Sequence, residues 1–341
     1  MTGKKESPEY IKTSLAGALS LGLEQGRFLR DTKCGCLNLL LTYEEGCAAK
    51  CGYCGLSSAR DTEAKPTFIR VKWPVYTLKN ILDTVRAGGT PFKRACVSMT
   101  THPRALGDAC TVIRAIREET KLPVSALLTP TVMRGPTDMA AVREAGADRV
   151  GIAVDCATEP LFEKFRGAGI GGPHRWVRYW EALEEAVTVF GQYRAGVHLI
   201  VGLGETEKEM VHCIRRAYQL GAVTHLFSFY PEAGSFMAGM KPPELEQYRR
   251  IQLARYLINE GIIAGDGIEY DTAGRLKDFG IEIGPYVERG VPFMTSGCPD
   301  EAGVMACNRP FSNERPSEPL RNYPFMPEAD DLAVIRTQVK L

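Results

Sequence analysis

An α/β fold, a partial (β/α)6 barrel of the TIM type with an N-terminal helix and an irregular C-terminal extension, is what the sequence predicts. Three observations lead there. Short β-rich runs alternate with longer segments of helical periodicity, as in Leu183, Ala186, Val187 and Phe190. Glycines and prolines punctuate the joins, at Gly88-Gly89, Gly146, Gly221 and Pro242-Pro243. The 341 residues suffice for one closed core of barrel size plus an extension.

Candidate strands are Leu37–Thr42, Ala95–Met99, Val124–Leu128, Arg149–Val154, Val197–Val201 and His225–Phe229. The helical patterns after them are Leu78–Arg86, Ala109–Glu119, Thr137–Ala145, Arg175–Phe190, Glu207–Leu220 and Pro243–Asn259. Repeated strand–helix units predict a parallel sheet with right-handed crossovers and helices outside, six units allowing an open doubly wound sheet as well as a partial barrel. Residues 1–33 read as a helical lead-in, 34–261 as the barrel, and 262–341 as an extension over the barrel mouth. Met294–Pro327, rich in Pro, Asn, Arg and Gly, has little apolar periodicity and cannot fold alone.

Lys plus Arg is 42 against 41 for Asp plus Glu, a net charge of +1, which removes the electrostatic case for a nucleic-acid or anionic-membrane binder. No apolar run reaches the roughly 18 residues of a membrane span, and MTGKKESPEY has no signal-peptide core, so a cytoplasmic protein is expected.

Eleven cysteines stand out. Cys96, Cys110, Cys156 and Cys213 sit singly in apolar segments, where a thiol is ordinary core filler. The other seven crowd two places: Cys34, Cys36, Cys47, Cys51 and Cys54 near the start, Cys298 and Cys307 near the end. Cys47, Cys51 and Cys54 could mark one face of a buried helix. Gly46, Gly52 and Gly55 make a helix there poor, each costing about 1 kcal/mol against alanine. A glycine-rich loop after a barrel strand is instead a place for ligands. Structural zinc sites close with four paired ligands, whereas three thiolates suit an iron–sulfur cube with one open iron.

The run Cys47-x-x-x-Cys51-x-Tyr53-Cys54 resembles the signature of the radical S-adenosylmethionine (radical SAM) superfamily. The resemblance implies a [4Fe-4S] cluster on Cys47, Cys51 and Cys54 whose fourth iron chelates SAM. It implies a 5′-deoxyadenosyl radical generated by the cofactor, with no catalytic side chain needed to make it. Tyr53 would pack near adenine, Asp155 would bind ribose hydroxyls, and Thr100 and Thr101 would lie near the methionyl amine. Ile200, Gly202 and Glu205, in a strand-five motif Ile200-Val-Gly-Leu-Gly-Glu-Thr206, would approach the adenine. Ordinary core packing for Tyr53 and a helix N-cap for Asp155 remain the alternatives.

Within the superfamily the chain is most similar to the biotin synthase-like branch. Cys96 matches one ligand of that branch's second cluster, but the later ligand positions read Ser125 and Gly196. Cys34 and Cys36 with Cys298 and Cys307 could instead hold an auxiliary cluster; incidental thiols or a small zinc site are the other reading. Arg309, Arg315 and Arg321 either face an acidic partner or hold the tail down. The combination looks most like the two-component lipoyl synthases. That resemblance implies sulfur insertion into a protein-bound octanoyl chain from a sacrificial second [4Fe-4S] cluster. The implied partners are an octanoylated lipoyl-domain or carrier protein, a second radical SAM protein, and a ferredoxin or flavodoxin as electron donor. A biotin synthase-like or methylornithine synthase-like enzyme acting on a small molecule is the alternative.

Overall fold

The computed structural model describes residues 4–65, 67–314 and 318–340; Arg315 lies outside them. Ten strands are seen: β1 (Tyr10–Thr13), β2 (Cys36–Leu41), β3 (Val75–Thr77), β4 (Arg94–Ser98), β5 (Val124–Leu128), β6 (Ala147–Asp155), β7 (Ala195–Val201), β8 (Val223–Ser228), β9 (Glu269–Tyr270) and β10 (Leu276–Asp278). The helices of the barrel are α1 (Leu15–Ser20), α2 (Leu78–Ala87), α3 (Ala105–Thr120), α4 (Pro136–Glu144), α5 (Glu159–Phe165), α6 (Trp176–Phe190), α7 (Glu207–Gln219) and α8 (Leu245–Asn259). Beyond them come α9 (Gly284–Arg289), α10 (Arg309–Ser312) and α11 (Ala329–Gln338).

The main sheet runs β3-β1-β2-β4-β5-β6-β7-β8. From β2 to β8 every pairing is parallel, and the sheet curves as a partial barrel that is not closed. All six strands expected from sequence are present, and Val124–Leu128 keeps its expected bounds. Alternation sets two faces. Val97, Ala126, Ile152 and Val197 face outward and are fully or almost fully buried under the helices, with Ile113, Val142, Leu183 and Ile214. Helix starts follow local chemistry: at α7, Thr206 Oγ1 accepts from Glu209 N while Glu209 Oε2 accepts from Thr206 N, closing a capping box.

The lead-in is not simply helical. Tyr10–Thr13 is a strand, antiparallel to β2 (Ile11↔Leu41) and to β3 (Ile11↔Tyr76), and the helix after it is only six residues long. The four residues Tyr-Ile-Lys-Thr alternate inward and outward, which favours pairing with an exposed sheet edge over a helix.

The C-terminal segment packs Cys298 and Cys307 near the starts of β2 and β4, while its Arg309 reaches the cavity at the mouth beside Phe68 and Trp73. It bridges both sides of the opening. Asn308 donates to Lys33 O just before β2, and Arg249 of α8 donates to Leu320 O (2.5 Å), Arg321 O (2.7 Å), Gln252 Oε1 (2.7 Å) and Gln338 Oε1 (2.8 Å). Arg309 and Arg321 both tie the tail to the barrel: Arg309 donates to Ser98 Oγ and Arg321 to Pro243 O. Replacing Arg249 by alanine strips buried carbonyls of their donor and is expected to destabilise the fold by about 3 kcal/mol, read as a lowered urea midpoint.

Among the described residues, no helix is long and apolar enough to cross a membrane.

Candidate active site

The loop between β2 and β3 carries the cysteine triplet to the C-terminal ends of the parallel strands. Cys51 is buried, while Cys47 and Cys54 are partly so. Backbone ties fix the loop: Ala48 N donates to Thr101 O, Gly52 N to Phe165 O, and Thr101 N to the Cys47 sulfur at 3.4 Å. Burial pushes the Cys51 thiol up to about 12 and raises Cys54 well above its ordinary value, so neither ionises readily without a positive partner.

The triplet opens onto a cavity of about 1090 Å³ including its mouth. Tyr53, Thr100, Thr101, Asp155 and Ile200 line it. Gly202 and Glu205 do not. Glu205 turns back to accept from Gly202 N (2.7 Å) and Leu203 N (2.9 Å), closing the turn after β7, and burial raises its pKa to about 7. A carboxylate used to satisfy its own loop is withdrawn from the cavity.

Asp155 is no helix N-cap. It ends β6 at φ +65°, a conformation costly for a non-glycine residue, and its Oδ2 accepts from Tyr53 OH (2.6 Å) and from Arg166. Arg166 is a site residue that sequence reading missed. It is 5% exposed, lines the cavity, and donates to Tyr179 OH at 3.0 Å while its Nε has no partner among the described residues. Thr100 Oγ1 is likewise buried and unpartnered. Orphaned donors beside three thiols are what a site shaped for a charged, thiolate-bound ligand leaves behind without it.

A second thiol group lies at the other end of the barrel. Cys36, Cys96 and Cys307 form a buried cluster with Cys298 packed against it. Cys34 is not a member; its thiol faces Cys36 O (3.3 Å) and Ser312 Oγ (3.6 Å) in the neighbouring core. Cys96, read from sequence as core filler, is a member of this group. Strand register is the reason: Cys36 starts β2, Cys96 on β4 is paired two residues further along at Asn38, and both point inward, whereas Cys34 precedes the strand.

Two glycines allow close backbone approaches here, Gly35 between the two ends of the chain and Gly297 within the tail. A Cβ on Gly35 would stand 2.7 Å from Ala306 O, and one on Gly297 only 2.1 Å from Cys307 O. Arg94, 1% exposed, fastens the tail beside Cys298 by donating to Pro299 O (2.6 Å), Ser125 Oγ and both Asp148 oxygens. Within the group, a hydrogen bond from the Cys36 thiol, aided by backbone donors and the Arg309 charge, draws Cys307 downward. The same bond, with burial, raises Cys36, and burial raises Cys96 to about 12. Among the described residues no three His, Cys, Asp or Glu side chains converge as one metal ion requires.

The model of the Radical SAM superfamily matches residues 43–217, just over half of the chain and spanning the triplet, β4 to β7 and most of α7. The chain belongs to the radical SAM superfamily. Radical SAM proteins bind a [4Fe-4S] cluster and SAM, and these are its cofactors. No curated protein matches it significantly. Among solved structures the radical SAM chain is similar to methylornithine synthase (PylB), with TM-score 0.51 and 14% identity over 72% of this chain and 67% of that one. It is also similar to HydG, a maturase of the [FeFe]-hydrogenase, with TM-score 0.52 and 13% identity over 66% of this chain and 49% of HydG. At such identities the likeness shows the radical SAM fold alone.

Proposed function

We propose that this radical SAM enzyme inserts sulfur into unactivated C–H bonds, in the manner of a lipoyl synthase, with a protein-bound octanoyl chain as substrate. The single observation that supports it is the second buried thiol group, Cys36, Cys96, Cys298 and Cys307, next to the cavity of the first. Radical generation needs one set of cluster thiolates; a sulfur donor needs another.

In this reading Cys47, Cys51 and Cys54 hold the SAM-binding cluster. Bound there, the cofactor supplies a 5′-deoxyadenosyl radical by one-electron cleavage of the sulfonium. Tyr53 and Ile200 flank the adenosyl space, Asp155 offers its remaining carboxylate oxygen to ribose hydroxyls, and Thr100 and Thr101 face the methionyl amine. Arg166, buried and cationic, suits the methionyl carboxylate. Leu127, Phe227 and Phe229 give the cavity an apolar side for an alkyl chain. Cys36, Cys96, Cys298 and Cys307 would hold the auxiliary cluster, which would supply one sulfide and take up one electron for each hydrogen atom carried off as 5′-deoxyadenosine. The partners are an octanoylated lipoyl-domain or carrier protein, a second radical SAM protein, and a ferredoxin or flavodoxin as reductant, in the cytoplasm.

The test is anaerobic turnover with SAM, dithionite and an octanoylated lipoyl-domain peptide, after reconstitution with labelled sulfide. Mass spectrometry should find labelled sulfur on the peptide, and the protein should carry about eight irons. About four irons and an unlabelled peptide, with or without candidate partners, would remove the sulfur-donor reading.

A further inference from the structure

The two cavities share a wall. Leu127, His198, Phe227 and Arg309 line both the SAM-side cavity and a smaller one of about 430 Å³ that holds Cys96, Cys298 and Cys307. Sheet register puts them there. Cys96 pairs with Ser125 at one level of the barrel interior, and Ser98 with Leu127 one step nearer the mouth. His198 on β7 faces the barrel interior alongside them, beside His225 and Phe227 of β8, with ring centroids 5.5 and 5.3 Å away.

Two of the four wall residues are polar. Arg309 is spoken for in part: it donates to Ser98 Oγ at 2.8 Å and lies over the Phe68 and Trp73 rings, leaving its Nε without a partner. His198 makes no hydrogen bond among the described residues. Space is nevertheless cleared for its ring, since a Cβ on Gly151 would come within 3.2 Å of His198 Nε2. His198 is half-buried and opens onto both cavities, where leucine or phenylalanine would fill the same volume without an N–H to offer. An imidazole that faces both cavities and meets no protein acceptor among the described residues can donate to a group held between them.

We propose that His198 is a positioning residue for the transferred sulfur: its ring N–H donates a hydrogen bond to the auxiliary-cluster sulfide that faces the SAM-side cavity, with Arg309 Nε as a second donor. This rests on the sulfur-insertion reading above. A donor at that edge selects which sulfide meets the substrate carbon. It also stabilises the reduced cluster, because hydrogen bonds to cluster sulfur raise the reduction potential.

The test compares full-length His198→Phe and His198→Gln with the parent after anaerobic reconstitution. The readouts are iron content, melting temperature, the auxiliary midpoint potential by EPR-monitored titration, and 5′-deoxyadenosine formed per sulfur transferred. His198→Phe should keep its iron and its melting temperature. Its auxiliary potential should move negative, and deoxyadenosine per product should rise about tenfold, the worth of one charge-assisted hydrogen bond. His198→Gln, which retains an N–H donor, should recover part of both. A phenylalanine variant with the parent's potential and ratio overturns the proposal. So does a loss of iron shared equally by both variants, which assigns the ring a structural role. Failure of the underlying reading shows elsewhere, in parent protein that holds about four irons and transfers no sulfur.

Discussion

Cys96→Ala is expected to bind about half the parent's iron after anaerobic reconstitution and to form no sulfur-containing product, while still cleaving SAM to 5′-deoxyadenosine. The side chain is 6% exposed in the middle of β4 and packs with the other thiols of its group and Leu127. Removing one sulfur from a core costs little in folding, so the loss would report a missing ligand. Cys34→Ala is the matched control. That thiol is 1% exposed but bonds to Cys36 O and Ser312, so iron content should stay at the parent's value. Iron analysis, EPR and chromatography of the nucleoside decide the case. The reverse pattern, iron lost with Cys34 and kept without Cys96, would restore the ligand set first expected from sequence.

Arg166→Leu should have the next largest effect, on both the fold and SAM. The guanidinium carries Asp155, Tyr53 and Tyr179 together inside the cavity. Without it Asp155 is left as a largely buried charge lacking its cation, a loss of about 3–5 kcal/mol. SAM binding should fall by about two orders of magnitude if the same guanidinium holds the methionyl carboxylate. The double variant Arg166→Leu/Asp155→Asn separates the two effects. It removes the uncompensated charge, so its melting temperature should recover much of the loss while SAM affinity, measured by equilibrium dialysis, stays low. Recovery of both would make Arg166 a purely structural partner of Asp155.

The strand–helix skeleton was legible because its signals are local. Apolar runs such as Val124–Leu128 and helical spacing such as Leu183 to Phe190 are written within a dozen residues. So is the cysteine triplet. What escaped depends on pairings between distant segments. Tyr10–Thr13 and Val75–Thr77 are too short to announce themselves as strands and exist because β1 pairs with the edge of β2 and β3 pairs in turn with β1. Cys96 has the sequence surroundings of core filler; only the register of β2 on β4 and the approach of the tail make it a fourth thiol. Arg166 follows the short α5 with no motif around it, and its burial against Asp155 comes from the turn that α5 imposes. Glu205 was read from its motif, yet the motif closes on itself.

The meeting of Gly35 with Ala306 and of Gly297 with Cys307 has a consequence for biogenesis. The first thiol of the quartet leaves the ribosome long before the last, so no nascent chain owns a complete set of donors. The triplet, by contrast, is finished within one short stretch. On the sulfur-insertion reading, loading would therefore follow an order: the donors of the radical-generating centre are complete early, and those of the other only once Cys307 has emerged.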